Sequence, residues 1–237
     1  MNAEVDVKID RHIGDFFLQR LKDAKQRLWI MSPWIASEYV DILLAKKAEG
    51  VDVRVITTND YGSGQKEALR KLVEPQVRIL KPENRGLKYT GVGLIVLGVL
   101  LVGATKGSSL FLSLIGVALY MFGREKKETY YISTIGDGNL VVLQFHPYSI
   151  VHAKIYIADD MVIMGSANFT ANGLQNSIEG MVTMQNAELA TNVGEMMGKV
   201  KNSMNLTTIS YNTVGRDVNR IDPERKYHRN KKHSSRW

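Results

Sequence analysis

The stretch that decides the fold is Val151–Glu179, which reads VHAKIYIADDMVIMGSANFTANGLQNSIE. Successive side chains of a strand point to opposite faces, so His152, Lys154 and Tyr156 are predicted to share one face. The residues between them are Val, Ala and Ile, which indicates that the other face packs on a core. A second β-rich run, Met161–Gly165, follows after an Asp-Asp turn. The sequence therefore predicts two neighbouring strands, the first with a polar row on one face.

The residue types in this row point to phosphoryl transfer. A His and a Lys side by side in an otherwise apolar strand are costly to bury unless they have a role. Imidazole is a competent nucleophile near neutral pH, and ammonium and amide N–H groups, here Lys154 and Asn168, can stabilise charge on phosphoryl oxygens. A carboxylate that accepts from the other imidazole nitrogen would fix its tautomer, and Glu179 is a candidate. This chemistry requires neither a metal ion nor another cofactor.

Two short motifs in this stretch resemble those of the phospholipase D superfamily. His152, Lys154 and Asp159 match the pattern H-x-K-x4-D, and the segment 165–168 matches the G-S-x-N that follows it in that family. Each motif alone is weak, and together they are specific. The resemblance implies an α/β fold, namely a phospholipase D-like α/β/α sandwich with a mixed sheet. It also implies that Asp159, on the predicted turn, and Gly165 are structural residues of the motif.

The resemblance also implies a role for each polar residue of the site. His152 would be the nucleophile that forms a covalent phosphohistidine. Lys154 and Asn168 would bind the phosphate and take part in catalysis. Ser166 would assist in substrate binding, and Glu179 would orient the histidine.

Only one copy of the motif occurs in the chain. Family enzymes usually pair two copies about a two-fold axis, and the second histidine protonates the leaving group. His146 is followed by Pro147 rather than by x-Lys, and the remaining histidines have no matching context. We therefore expect a homodimer whose active site lies at the two-fold interface, with the partner subunit's His152 as general acid.

An apolar region interrupts the strand and helix pattern of the chain. The segments 89–105 and 107–123 each contain 17 residues without a charge, and only Lys106 separates them. A helix needs about 20 apolar residues, and about 17 at least, to cross a bilayer. Basic residues flank both ends, which places both on the cytoplasmic side by the positive-inside rule. These features predict an integral membrane protein with a two-helix transmembrane hairpin at 87–124, with both termini and the catalytic domain cytoplasmic. A buried hairpin in a soluble core and a re-entrant or monotopic hairpin are the alternatives.

The remaining pattern predicts the domain organisation. Alternating helices and strands assign 1–86 and 125–208 to the two parts of one phospholipase D-like domain, the second part carrying the motif. Residues 209–237 are predicted to be a basic, disordered tail. Predicted strands lie at 27–35, 51–57, 77–80, 129–134, 140–145, 150–158 and 161–165, and predicted helices lie at 9–26, 37–49, 65–73 and 188–204.

Composition bounds the possible partners. The chain has no cysteine, which excludes disulfides and cysteine-based metal sites or nucleophiles. The formal charge is +7, and residues 216–237 carry eight Lys and Arg against three Asp and Glu. A basic tail is drawn to polyanions such as nucleic acid or an anionic lipid surface. Trp34 and Tyr148 are candidates to line a substrate cleft.

Three functions are compatible with these features. The first is a membrane-anchored, metal-independent nuclease that hydrolyses phosphodiester bonds of DNA or RNA. The second is a phospholipase D or phosphatidyl-transfer enzyme that acts on phospholipids of the bilayer. The third is a catalytically inactive membrane scaffold. The single motif and the small size favour the nuclease, and the hairpin favours lipid.

Overall fold

A computed structural model describes residues 4–62, 64–146, 151–200 and 206–220. The chain divides into two compact units. The main unit comprises residues 1–75 and 131–237, and the insert comprises residues 76–130. The sequence predicted an insertion at 87–124, so the insert also takes in residues on both sides of the apolar region.

In the described part of the chain, nine strands form two sheets. The strands are β1 (Glu4–Asp10), β2 (Arg27–Met31), β3 (Asp52–Thr58), β4 (Val73–Lys81), β5 (Lys126–Ser133), β6 (Leu140–Leu143), β7 (Ile155–Ala158), β8 (Met161–Gly165) and β9 (Glu179–Gln185). The large sheet has the order β1-β9-β8-β7-β2-β3-β6. β2 and β3, and β3 and β6, pair in parallel, whereas the other neighbours are antiparallel. The sheet is therefore mixed, as predicted.

Helices cover both faces of the large sheet. These helices are α1 (Gly14–Asp23), α2 (Ser37–Ala48), α3 (Gln65–Leu72), α6 (Ala187–Val200) and α7 (Tyr211–Asn219). The insert contains two further helices, α4 (Arg85–Leu100) and α5 (Leu110–Gly123). Along β2 the side chains alternate, so Leu28 and Ile30 pack in a core with α1, α2, α3 and α7. Trp29 and Met31 face the opposite side and pack with α6. The main unit is an α/β/α sandwich, and its largest core lies under the first group of helices.

Three elements of the main unit, β1, β9 and α7, have no counterpart in the predicted pattern. β1 is an edge strand with mostly exposed side chains, so it lacks the apolar row of a half-buried strand. α7 lies within the segment 209–237 that was predicted to be a disordered tail, and its Val214 and Val218 are fully buried in the main core. This nine-residue helix buries Val214, Gly215 and Val218 at helical spacing, but the prediction for the segment was based on its basic charge. The more basic part of that segment, 221–237, lies outside the described residues.

The start of β7 also differs from the prediction. The predicted strand begins at residue 150, whereas β7 begins at Ile155. His152 and Lys154 therefore precede the strand and lie in the loop that leads into it. Tyr156 is on the strand, is fully buried and donates to the carbonyl of Ala167 at 2.6 Å. Of the predicted polar row, His152 and Lys154 thus lie in a loop, whereas Tyr156 lies in the core.

The insert is a helical hairpin on a two-stranded ribbon of β4 and β5. α4 and α5 pack closely, since a Cβ at Gly91 would lie 2.6 Å from the carbonyl oxygen of Gly116. Ser109 donates to the carbonyl of Gly98 at 2.8 Å, which satisfies a polar group inside the hairpin. Small residues thus let the two backbones approach.

The prediction of two transmembrane helices is wrong. α4 has 16 residues and α5 has 14. At about 1.5 Å per residue the longer helix rises only about 24 Å, against a hydrocarbon core of about 30 Å. Within the described ranges, the structure contains no helix of sufficient length and apolarity to span a bilayer. The prediction was based on the number of consecutive uncharged residues, but in the structure residues 101–109 form turns rather than additional helix.

Candidate active site

The motif residues meet at one end of the large sheet. β8 runs in the same direction as β2, because both are antiparallel to the intervening β7. The segments after β2 and β8 therefore lie at the same end as the segments that precede β7 and begin β9. Ser32 follows β2, Asn168 follows β8, Lys154 precedes β7, and Glu179 begins β9. Parts of the chain that are more than a hundred residues apart in sequence thus contribute to one site.

His152 and Lys154 are in direct contact. The Nζ of Lys154 lies 2.9 Å from both ring nitrogens of His152. It also donates to the backbone carbonyl of His152 at 2.7 Å. The imidazole is exposed, whereas Lys154 is only 5% exposed. An ammonium group is therefore held beneath an accessible imidazole, and this pair of groups can engage an anionic phosphoryl group.

The electrostatics of Lys154 reflect its burial. Loss of hydration lowers the pKa of Lys154 below that of a free lysine, because burial penalises the charged form. The charge of Glu179 acts in the opposite direction and partly offsets this effect. A bound phosphate would add further negative charge beside the ammonium and would stabilise it in the same way.

Gly165 and Ser166 join β8 to β9 by a close approach of the two backbones. A Cβ at Gly165 would lie 2.0 Å from the carbonyl oxygen of Gly180, so no larger residue fits. The N–H of Ser166 donates to the same carbonyl at 3.0 Å. The hydroxyl of Ser166 donates to the carboxylate of Glu179 and accepts from the N–H of Gly180 at 3.1 Å. The structure thus places Glu179 on Ser166 and, through its charge, near Lys154.

Asn168 has an acceptor that the fold leaves open. Its Oδ1 is buried and has no hydrogen-bond partner among the described residues. Its backbone is held by the π-helical turn Asn172–Asn176, and a Cβ at Gly173 would lie 2.6 Å from the Asn168 carbonyl oxygen. Buried polar groups are normally paired, so this amide oxygen is an exception that the bonds of the described residues do not account for.

Asp159 is a backbone-binding residue at the opposite end of β7. It has φ of 51°, which Asp adopts more readily than most side chains. Its carboxylate accepts from the N–H groups of Lys25, Gln26 and Arg27 at 2.9, 2.7 and 3.0 Å. Burial alone would raise the pKa of Asp159, but these three amides and the nearby guanidinium outweigh it and lower the pKa. The motif aspartate thus fixes the start of β2, away from His152.

A buried polar network, which sequence reasoning missed, shapes the other side of the site. Gln65 is fully buried and accepts from the N–H of Ile35 at 2.6 Å. Its amide nitrogen donates to the hydroxyl of Thr57 and the carbonyl of Thr58, both at 2.8 Å. Ser32 accepts from the N–H of Phe169 at 3.1 Å. These bonds tie the segment after β2 to the segment after β8, and only the polar character of Gln65 within a helix signals them in the sequence.

This network positions Trp34 beside the histidine. The Trp34 and His152 rings meet edge to face, with centroids 6.2 Å apart and an angle of 82°. The indole N–H donates to Asp60 at 3.0 Å, which fixes the plane of the ring. Trp34 was a candidate cleft residue, and the structure brings it to the site. The other candidate, Tyr148, lies outside the described residues.

No group of three or more His, Asp or Glu side chains suited to a metal ion occurs in the described ranges. The site offers an ammonium, an imidazole, a hydroxyl and an amide, which can bind an anion, and the carboxylate of Glu179 lies beside them on Ser166. Its residues can therefore hold a phosphate directly.

Three solved structures resemble the chain in fold. Nuc from Salmonella typhimurium, a phospholipase D family member, is 18% identical with a TM-score of 0.49, over 88% of this chain and 99% of that chain. NucT from Helicobacter pylori is 12% identical with a TM-score of 0.47, over 88% and 99%. Phosphatidylserine synthase from Haemophilus influenzae is 12% identical with a TM-score of 0.49, over 98% of this chain and 45% of that chain. No curated protein sequence matches the chain.

A family model decides the assignment. The model for the cardiolipin synthase, PLD-like domain matches residues 17–200, which is more than half of the chain and includes the elements around His152, Lys154 and Asn168. Members of this superfamily are phosphodiesterases or phosphatidyl transferases. The chain therefore belongs to the PLD-like domain family of the phospholipase D superfamily.

Proposed function

We propose that the protein is a metal-independent phosphodiesterase that hydrolyses nucleic acid through a covalent phosphohistidine. The observation that carries the proposal is the contact between the Nζ of Lys154 and the exposed His152 ring, at 2.9 Å. A nucleophile and a cation that are already adjacent need little rearrangement to engage one phosphoryl group. Asn168, with its unpartnered amide oxygen, lies at the same end of the sheet.

The proposed reaction has two displacement steps. In the first, a ring nitrogen of His152 attacks phosphorus, the bond from phosphorus to the leaving oxygen breaks, and that oxygen takes a proton from the partner subunit's His152. In the second, water attacks the phosphohistidine, the partner imidazole takes the proton of the water, and the nitrogen–phosphorus bond breaks. The products are an alcohol and a phosphate monoester, and both histidines return to their starting state.

The choice of nucleic acid rests on charge and on the corrected architecture. The chain carries a net charge of +7, which favours a polyanionic substrate. The hairpin favoured a lipid substrate only as a bilayer anchor, and the described helices are too short for that role. Phosphatidyl transfer is the second candidate, because the matching family model is described as cardiolipin synthase.

The test compares the two substrate classes with one pair of proteins. Wild type and His152→Ala are incubated in EDTA with single-stranded DNA, RNA and cardiolipin-containing vesicles. We expect nucleic-acid cleavage that persists in EDTA and falls by at least about a thousandfold in the variant, since removal of a nucleophile has effects of that order. Rapid quenching of the wild type in alkaline detergent, which preserves the acid-labile nitrogen–phosphorus bond, is expected to trap label on the protein when the substrate phosphates are labelled internally.

The matched control is His12→Ala. His12 lies outside the motif, next to the amino-terminal end of α1, and this variant is expected to retain wild-type activity. Head-group release without any nucleic-acid cleavage would replace the nuclease by the lipid reaction. Equal cleavage by wild type and His152→Ala would end the assignment of the nucleophile.

A further inference from the structure

A crevice beside the motif residues has no role in the two displacement steps. It has a volume of about 580 Å³ and is open to solvent. Trp34, whose ring meets that of His152, lines the crevice together with Asn168, Ser37, Glu38, Glu67 and Thr170. The volume is within the range of about 300–1,000 Å³ that is usual for small-molecule sites. The crevice can therefore hold a substrate group that is connected to the reacting phosphate.

The charge of the walls excludes another phosphate from this crevice. Glu38 and Glu67 both line it, and Glu38 is exposed. Carboxylates repel the phosphates on either side of the scissile bond, whereas Lys154 attracts them at the mouth of the site. Glu67 also pairs with Arg70 at 3.9 Å, so Glu38 contributes most of this repulsion, and the crevice favours a group that is uncharged or positively charged.

The flat ring and the hydrogen-bonding groups narrow the choice further. Trp34 is held by its bond to Asp60, so its indole is a pre-positioned surface for stacking. The walls contain hydroxyl and amide groups, Ser37, Thr170 and Asn172, which can both donate and accept. A nucleobase has a flat face and an edge with both donors and acceptors. A lipid ammonium group has no acceptor and uses only half of these groups.

The geometry points to a base-binding subsite in which Trp34 stacks on the base next to the scissile phosphate. This inference rests on the proposed nuclease function and adds the form of the substrate. The base must leave its stack to enter the crevice, so the enzyme acts on single-stranded rather than duplex nucleic acid. Asn168 lines the same crevice, and its side-chain amide can hydrogen-bond a group that enters it.

The test removes the stacking surface and the base independently. Trp34→Leu keeps an apolar side chain but no ring, and Trp34→Phe keeps a ring. Each variant and wild type are assayed on an oligonucleotide and on the same oligonucleotide with tetrahydrofuran abasic residues at the two positions that flank the scissile bond. We expect kcat/KM of the intact substrate to fall by about 5- to 150-fold in Trp34→Leu, the effect of one lost stacked base. Trp34→Phe is expected to retain most of the activity.

The abasic substrate separates stacking from support of the histidine. Wild type is expected to cut it as poorly as Trp34→Leu cuts the intact substrate, and Trp34→Leu is expected to cut both substrates equally. If Trp34 only packs against His152, Trp34→Leu reduces cleavage of both substrates by the same factor, and the inference is overturned. Equal wild-type cleavage of intact and abasic DNA, or of single strands and duplex, also overturns it.

The same assays distinguish a failure of the base-binding subsite from a failure of the proposed nuclease function. If wild type cuts nucleic acid but is indifferent to the base, the nuclease function stands and the subsite fails. If wild type releases lipid head groups and cuts no nucleic acid, the nuclease function and the subsite fail together.

Discussion

At the residue scale, the residues of the H-x-K-x4-D motif have different physical roles. His152 and Lys154 are in contact at the mouth of the site, whereas Asp159 binds three backbone N–H groups at the far end of β7. The carboxylate closes a turn and fixes the start of β2, so its contribution is to stability rather than to phosphoryl chemistry. Charged hydrogen bonds of this kind are among the stronger ones in proteins.

Asp159→Asn is expected to reduce the free energy of unfolding by about 1–2 kcal/mol at neutral pH, because an amide replaces a charged acceptor in a partly exposed place. Asn is compatible with φ of 51°, so backbone strain does not contribute. The pKa of Asp159 is lower in the folded state than its ordinary value of 3.8. The stabilisation is therefore present above that value and is lost as the pH falls through the folded pKa.

Urea denaturation of wild type and Asp159→Asn between pH 7 and pH 2 measures this effect. The difference between the two proteins should shrink at the acid end of the range. Asp160→Asn is the matched control, because Asp160 makes only an exposed pair with Arg27 at 3.4 Å and should change stability by less than about 1 kcal/mol. A difference that stays constant with pH would contradict the assigned role of the Asp159 charge.

At the element scale, the site depends on how closely β8 and β9 approach. Gly165 and Met181 are register partners, and Gly165 faces the carbonyl of Gly180 at a distance that leaves no space for a Cβ. This approach brings Ser166 to Glu179 and sets the direction of the segment that contains Asn168. The glycine of the G-S-x-N motif therefore shapes the site without touching a substrate.

Gly165→Ala is expected to reduce the free energy of unfolding by about 2 kcal/mol and to reduce activity as well. The new Cβ would lie 2.0 Å from a backbone oxygen, which cannot move without disturbing the strand pair. Chemical denaturation and single-turnover cleavage measure the two effects. The matched control is Gly180→Ala, whose Cβ would meet its nearest neighbour at an ordinary 3.7 Å and should be tolerated. Equal stability of the two variants would refute the close approach.

At the scale of the whole molecule, one chain supplies one motif and therefore half of the proposed acid–base pair. His152 is exposed, so a second copy can reach it. A two-fold axis near this residue would place each histidine opposite the other and would make a symmetric site from a single sequence. The two chains are both positively charged and repel each other, and a bound polyanion would screen this repulsion. Binding of the polyanion should therefore be sensitive to salt.

If the active site is shared between two chains, an inactive chain should abolish the activity of the wild-type chain with which it pairs. If a fixed amount of wild type is mixed with increasing His152→Ala and allowed to exchange subunits, the activity per wild-type chain should fall towards zero. The mixed dimer lacks either the nucleophile or the general acid. Sedimentation at the assay concentration should show the dimer, and an inert protein in equal excess is the control. Undiminished activity of a monomeric wild type would show that one chain suffices.

The sequence by itself determined the family and the residues that we propose for the chemistry, because the motif residues lie within about 30 neighbouring positions and keep a fixed spacing. It also predicted most of the helices and strands, among them β3 and α3, where apolar periodicity matches burial. It failed for the hairpin, because a count of uncharged residues does not show where a helix ends.

Only the tertiary structure decided what the motif residues touch. The amides bound by Asp159 are more than 130 residues away from it in sequence, and the bond from Phe169 to Ser32 spans 137 residues. The crevice beside Trp34 likewise joins segments after β2, before and within α3, and after β8. Contacts between distant segments leave no period or spacing in the sequence, since they arise only when the packed sheet brings strand ends together.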